Sequence, residues 1–125
     1  MRRKRLSIRF LNLVEDARLR ITEISVAEVL SRQSRGERLQ VIDVREDREW
    51  LQSHISGARH LSKGTIERDI EMFYRDLDEE IILYCDAGNR SALAADNLEK
   101  LGYSNIRSLA GGFQAWKAAG GSIGL

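Results

Sequence analysis

Ile81-Ile82-Leu83-Tyr84-Cys85-Asp86-Ala87-Gly88-Asn89-Arg90-Ser91 is the stretch that decides the fold. The unbroken apolar run from Ile81 to Tyr84 has the length and composition of a central parallel strand, buried on both faces. About six residues after Cys85 a helical pattern begins, with Ala92, Leu93, Ala95, Leu98 and Leu101 on one face and Gly102 placed to end it as a C-cap. Strand, small-residue loop and helix in that order make half of a βαβ unit.

The same alternation repeats outward. Upstream, Val41, Ile42 and Val44 form a buried strand broken by Asp43, a short helix spans Glu46 to Gln52, and Arg59 to Leu61 is a brief strand. Thr65 to Leu77 carries Ile66, Ile70, Phe73, Tyr74 and Leu77 at helical spacing. Further back, Ile21 to Ile24 is a strand, and Ser25 with Glu28 makes a capping box for a helix to about Gln33. Downstream, Ile106 to Leu109 is the last strand. Gly111 and Gly112 open a final short helix bearing Phe113 and Trp116, and the chain is expected to fray through Gly120, Gly121 and Gly124. The class is α/β with a largely parallel sheet.

The chain has 125 residues, a formal net charge of +1 and a single cysteine. That length suits one domain able to bury a core without disulfide staples. A lone thiol excludes an internal disulfide and a cysteine-rich zinc site. Arg2, Arg3, Lys4, Arg5 and Arg9 crowd the start, and Leu6, Phe10, Leu13, Val14 and Ala17 repeat at helical spacing behind them. Residues 1–20 therefore form a basic tail with an amphipathic helix over about Leu6 to Arg18. The apolar stretch is broken by Arg9 and runs into Glu15 and Asp16, so no signal peptide is expected. With no transmembrane-length run, the chain is expected to be cytoplasmic, with neither nucleic acid nor membrane as partner.

Cys85 sits where open α/β sheets bind ligands, at the carboxyl end of a central strand. Ala87, Gly88 and Asn89 are small or tolerant of left-handed backbone, so the loop can curl until several N–H groups point inward. With the positive end of the following helix, those groups form an anion cradle that favours a thiolate and equally an outer persulfide sulfur. Arg90 adds a fixed positive charge at the rim or base.

Cys85-Asp86-Ala87-Gly88-Asn89-Arg90-Ser91 resembles the C-x-x-G-x-R-S active-site loop of single-domain rhodaneses. Asp43-Val44-Arg45, then Trp50, then His54-Ile55-Ser56-Gly57-Ala58 are similar to that family's earlier D-x-R and H-I-x-G-A motifs, and Leu109 to Trp116 to its closing L-x-G-G-x-x-x-W segment. The motifs fall in order across residues 21–121, nearly everything except the opening helix. The resemblance implies a rhodanese-like fold: a central five-stranded parallel sheet flanked by helices, here with an extra N-terminal helix. It implies a sulfurtransferase moving sulfane sulfur from thiosulfate or a persulfide to a thiophilic acceptor through a Cys85 persulfide, without metal or organic cofactor. Cys85 is then the nucleophile, and Asp86, Ala87, Gly88, Asn89, Arg90 and Ser91 the substrate-binding loop. The partners are a small sulfur donor and a thiol or cyanide acceptor, or a protein that carries a persulfide. The alternative is a non-catalytic rhodanese-like module that binds a partner, a class that commonly lacks the cysteine.

Asp43 and Arg45, ending the strand before the crevice, are expected to support the loop region through a salt bridge or bracing hydrogen bonds. Arg90 either contacts substrate oxyanions or pairs with an acidic side chain to hold the loop. His54 is read as a structural histidine, and Trp50 and Trp116 as packing residues. Related cysteine phosphatases and arsenate reductases use a C-x-x-x-x-x-R loop, whereas four residues separate Cys85 from Arg90, a ring better sized for one sulfur atom than for a tetrahedral oxyanion. Asp86 departs from a loop built for dianions, because its charge opposes thiosulfate beside the nucleophile.

Overall fold

A computed structural model describes residues 5–125; Arg2, Arg3 and Lys4 of the basic tail lie outside them. Helix α1 (Ile8–Arg18) starts two residues later than expected because the Ser7 hydroxyl accepts the Phe10 N–H at 3.0 Å, a side-chain N-cap. Strand β1 (Thr22–Ile24) leads into α2 (Val26–Ser34), whose N-cap Ser25 accepts the Glu28 N–H. Then come β2 (Gln40–Asp43), α3 (Asp47–Gln52), β3 (His54–Ile55), β4 (Arg59–His60) and α4 (Ile66–Asp69) with a 3-10 turn over Ile70–Met72. Strand β5 (Ile81–Tyr84), α5 (Asn89–Lys100), β6 (Ile106–Leu109), α6 (Gly112–Ala118) and β7 (Ile123–Gly124) complete the chain.

Five strands form one parallel sheet in the order β1-β6-β5-β2-β4, with β5 central. Period-two alternation splits the side chains of β5 between two cores. Ile81, Leu83 and Cys85 join Ile42, Val44, Ile66, Ile70, Ala94, Ala95 and Leu98 on the α4–α5 side. Ile82 and Tyr84 face Ile24, Val29, Val41, Leu109, Phe113 and Trp116 on the α2–α6 side. Helix α1 buries Val14 and Ala17 and packs on α5. The sheet thus sends the two neighbours Tyr84 and Cys85 to opposite faces.

Two expectations are corrected. The long helix over Thr65 to Leu77 is only α4 and the 3-10 turn. Ile66, Ile70 and Tyr74 are buried, while Phe73 and Leu77 stay 44% exposed and gain nothing from helical continuation. The Asp76 carboxylate accepts the Asp78 N–H at 2.9 Å, a local bond that competes with a helix. The carboxyl terminus does not fray either. The Trp116 indole donates to the Ser122 carbonyl at 3.0 Å, and β7 then pairs antiparallel with β3.

Candidate active site

Cys85 is the first residue after β5, and its side chain is 1% exposed. Gly88, the N-cap of α5, has φ of +100°, a left-handed value that disfavours a side chain. That turn aims the Gly88 N–H at Sγ, 3.1 Å away, and the Ser91 N–H reaches the same sulfur at 3.4 Å. The Ser91 hydroxyl lies 3.6 Å from Sγ and 2.8 Å from the hydroxyl of Ser108, which is fully buried on β6. When Ser91 donates to sulfur, Ser108 supplies the hydrogen that Ser91 Oγ accepts. The N–H groups of Asn89 and Arg90 belong to the first turn of α5, where no preceding helical carbonyl serves them. Two N–H groups and a hydroxyl therefore converge on one sulfur at a helix N-terminus, where the backbone dipoles present their positive ends.

The segment after β6 holds this loop in place. The Phe113 N–H donates to the Cys85 carbonyl at 2.8 Å, and the Gln114 N–H to the Asp86 carbonyl at 3.1 Å. Gly112 permits that approach, since a Cβ on it would stand 2.7 Å from the Asp86 oxygen and closer still to that of Cys85. The Gln114 side chain also donates to the Asp86 carboxylate at 2.6 Å. Ala87 is exposed at the outer turn of the loop, and Asn89 is partly buried.

Arg90 does not point across the cradle. Its guanidinium makes two bonds to the Glu49 carboxylate, at 2.8 and 3.1 Å. Those hydrogen bonds, helped by the opposite charges, hold Glu49 below the usual carboxylate range and push Arg90 further up. Glu49 also accepts the Glu46 N–H at 3.1 Å within the α3 capping box, so one carboxylate joins α3 to the cysteine loop. Sequence reasoning missed Glu49. Its position three residues after the N-cap Glu46 was the available signal. Arg18 of α1 reaches the loop from the other side, 3.3 Å from the Asn89 side-chain oxygen, and is itself bonded to Glu15 at 2.7 Å.

Asp43 and Arg45 lie across the sheet from Sγ. They form a buried ion pair in which Arg45 Nη2 donates to Asp43 at 2.8 Å and to the Ser53 carbonyl at 2.6 Å. The Tyr84 hydroxyl donates to Asp43 and accepts the Ile55 N–H at 3.0 Å. Burial, with that carboxylate beside it, pushes the Tyr84 hydroxyl well above the usual phenol range. The Arg45 guanidinium lies 4.5 Å from the Phe113 ring centroid, a cation–π contact. These residues tie β2, β3 and β5 together. His54 stacks on Trp50 at 3.5 Å between ring centroids, and His60 stacks at 5.1 Å, so all three rings pack as a structural layer. Among the described residues, no cluster of three or more His, Cys, Asp or Glu side chains is arranged to hold a metal ion. No described helix is long and apolar enough to cross a membrane.

Residues 25–119 match the model of the rhodanese-like domain. The chain belongs to the rhodanese-like domain family. A protein named thiosulfate sulfurtransferase GlpE from Pseudomonas paraeruginosa is 34% identical over 93 residues, covering 74% of this chain and 83% of that relative. The protein of that name from Ectopseudomonas mendocina is 40% identical over 78 residues, covering 62% of this chain and 70% of its own length. Among solved structures, a protein of unknown function from Rhodopseudomonas palustris, described as a possible tyrosine phosphatase, superposes with a TM-score of 0.84 at 25% identity, covering 99% of this chain and 100% of that one. A rhodanese-related protein from Thermoplasma volcanium superposes with a TM-score of 0.72 at 28% identity, covering 83% of this chain and 98% of its own. The rhodanese-like fold is thus shared along the chain, and the Rhodopseudomonas neighbour extends the likeness through α1.

Proposed function

We propose that this chain is a rhodanese-type sulfurtransferase in which Cys85 accepts a sulfane sulfur and hands it on as a persulfide. The observation that carries the reading is the convergence of the Gly88 and Ser91 N–H groups on Sγ. The thiolate attacks the outer sulfur of the donor; a bond forms between Sγ and that sulfur, and the donor's own bond to it breaks with both electrons leaving on the donor. Sulfite departs if the donor is thiosulfate, a thiolate if it is a persulfide. The acceptor, cyanide or a thiol, then takes the outer sulfur and returns the Cys85 thiolate, so no external oxidant or reductant enters. The remaining N–H groups of the loop between Asp86 and Ser91 serve the outer sulfur, and Arg90 braces the loop through Glu49.

The description of the Rhodopseudomonas neighbour raises phosphatase chemistry. Four residues between Cys85 and Arg90, and a guanidinium already committed to Glu49, speak against it. A purely partner-binding module has no use for a cysteine held by two N–H groups and a hydroxyl. The test is thiocyanate release from cyanide with thiosulfate and a small persulfide as donors. The expected result is turnover that Cys85→Ala abolishes. Thiocyanate formation above the protein-free rate that survives Cys85→Ala, or none above that rate with either donor, defeats the reading.

A further inference from the structure

The charges around the loop mouth are arranged unfavourably for a dianion. Asp86 follows the nucleophile directly, and Gln114 clamps it twice, through the side-chain bond at 2.6 Å and the backbone bond at 3.1 Å. The side-chain bond tethers its carboxylate beside the loop, on the residue next to the nucleophile. Both guanidiniums that touch the loop are already balanced. Arg90 is taken by Glu49, and Arg18 by Glu15 at 2.7 Å and Glu23 at 3.6 Å. Four carboxylates stand against two guanidiniums in this ring of contacts. The Lys117 ammonium is occupied over the Phe113 ring at 4.8 Å. Lys63 lines a cleft with Asp16, Arg20 and Asp96 further along α5. Among the described residues, neither lysine forms an ion pair with the loop.

We propose that Asp86, fixed by Gln114, makes the mouth of the cradle select against thiosulfate, and that the donor for Cys85 is a thiol persulfide of low negative charge. The inference rests on the sulfurtransferase reading above and narrows its substrate. Sγ attacks the terminal sulfur of the persulfide R–S–SH. The Sγ–S bond forms as the donor's S–S bond breaks, R–S⁻ leaves with the electron pair, and the terminal proton stays on the new cysteine persulfide or passes to water. Sulfur is transferred with no net redox change. Thiosulfate delivers the same atom but brings two negative charges against a fixed carboxylate. Unit charges a few ångströms apart interact by about 1 kcal/mol even in bulk water, and salt screens the term over about 8 Å at physiological ionic strength.

The experiment measures the rate at which the intact protein gains one sulfur atom, by quenched mass spectrometry, with thiosulfate or with cysteamine persulfide. Native protein is compared with Asp86→Asn and Asp86→Ala at low and high salt. Expected is a rise of about 3- to 10-fold in the thiosulfate rate for both neutral variants at low salt, with no rise in the cysteamine persulfide rate, because the ammonium of that donor is attracted by the Asp86 carboxylate and gains nothing from its removal. Added salt should speed thiosulfate loading of native protein and shrink the difference between native and variants. Two neutral replacements that agree exclude a loss of loop shape peculiar to one. Thiosulfate loading that is unchanged or slower in both variants, or that slows with salt in native protein, overturns the donor inference while leaving the sulfurtransferase reading intact. No sulfur gained from either donor by native protein overturns both.

Discussion

Replacing Gly112 by alanine tests whether the β6–α6 turn holds the cysteine loop by close backbone approach. At Gly112, φ is +56°, a left-handed value whose steric cost to an L-residue is about 1–2 kcal/mol. The added Cβ also meets the carbonyl oxygens of Cys85 and Asp86, the latter at 2.7 Å. Both are backbone atoms already bonded to Phe113 and Gln114, so they cannot yield without breaking those bonds. Overpacking of this kind costs about 1–3 kcal/mol more, giving about 2–5 kcal/mol in all. For a domain of this size that lowers Tm by about 3–5 °C per kcal/mol. Gly120 is the control, with φ of +79° and nothing within 4 Å of its ideal Cβ position. Gly120→Ala should carry only the conformational term, and any gain from a stiffer unfolded chain applies equally to both variants. Urea unfolding followed by tryptophan fluorescence compares them, and iodoacetamide alkylation of Cys85 reports on loop geometry in the folded fraction. Losses equal within about 0.5 kcal/mol, with native alkylation in Gly112→Ala, would refute the close-approach argument, since that is within the usual scatter of such comparisons.

Asp43→Ala should destabilise the fold by about 3–5 kcal/mol, because it strands the buried Arg45 charge, while turnover per folded molecule stays within about twofold; a large loss of turnover with little loss of stability in urea would make Asp43 a participant in the chemistry. Glu49→Gln should weaken the fold by about 0.5–1 kcal/mol at pH 7, the partly exposed setting keeping the pair's contribution small. Since the Glu49 carboxyl is held below its ordinary range, the pair's contribution is present above the unfolded value of about 4.3 and is lost as pH falls through the lower folded value. Native and variant stabilities should therefore converge in acid, and a gap that stays constant from pH 7 to pH 3 in thermal melts counts against the pair.

Much of this was legible in the sequence because local pattern and tertiary role coincide. The unbroken run Ile81 to Tyr84 is apolar because both faces of β5 are covered. Gly88 stands where the loop needs a left-handed residue, and Ser25 where α2 needs a cap. Legibility fails where the deciding partner is distant. Strands β3 and β7 have two residues each and pair His54 with Gly124, leaving no periodicity to read. Glu49 looks like an ordinary helix-capping residue until the fold brings Arg90 to it across 41 positions. Asp43 and Arg45 flank the crevice in sequence, yet strand alternation carries the Asp43 carboxylate, with Tyr84, away from Sγ. Helical spacing over Thr65 to Leu77 misled because Phe73 and Leu77 are not core residues.

The central claim is that Cys85 carries sulfur, and the intact mass of the protein after brief exposure to a sulfane-sulfur donor tests it most directly. The account predicts a gain of one sulfur atom, located to Cys85 by peptide mapping, absent from Cys85→Ala and removed by cyanide. A native protein whose mass stays unchanged with thiosulfate and with a small persulfide alike, or whose added sulfur survives Cys85→Ala, would contradict it.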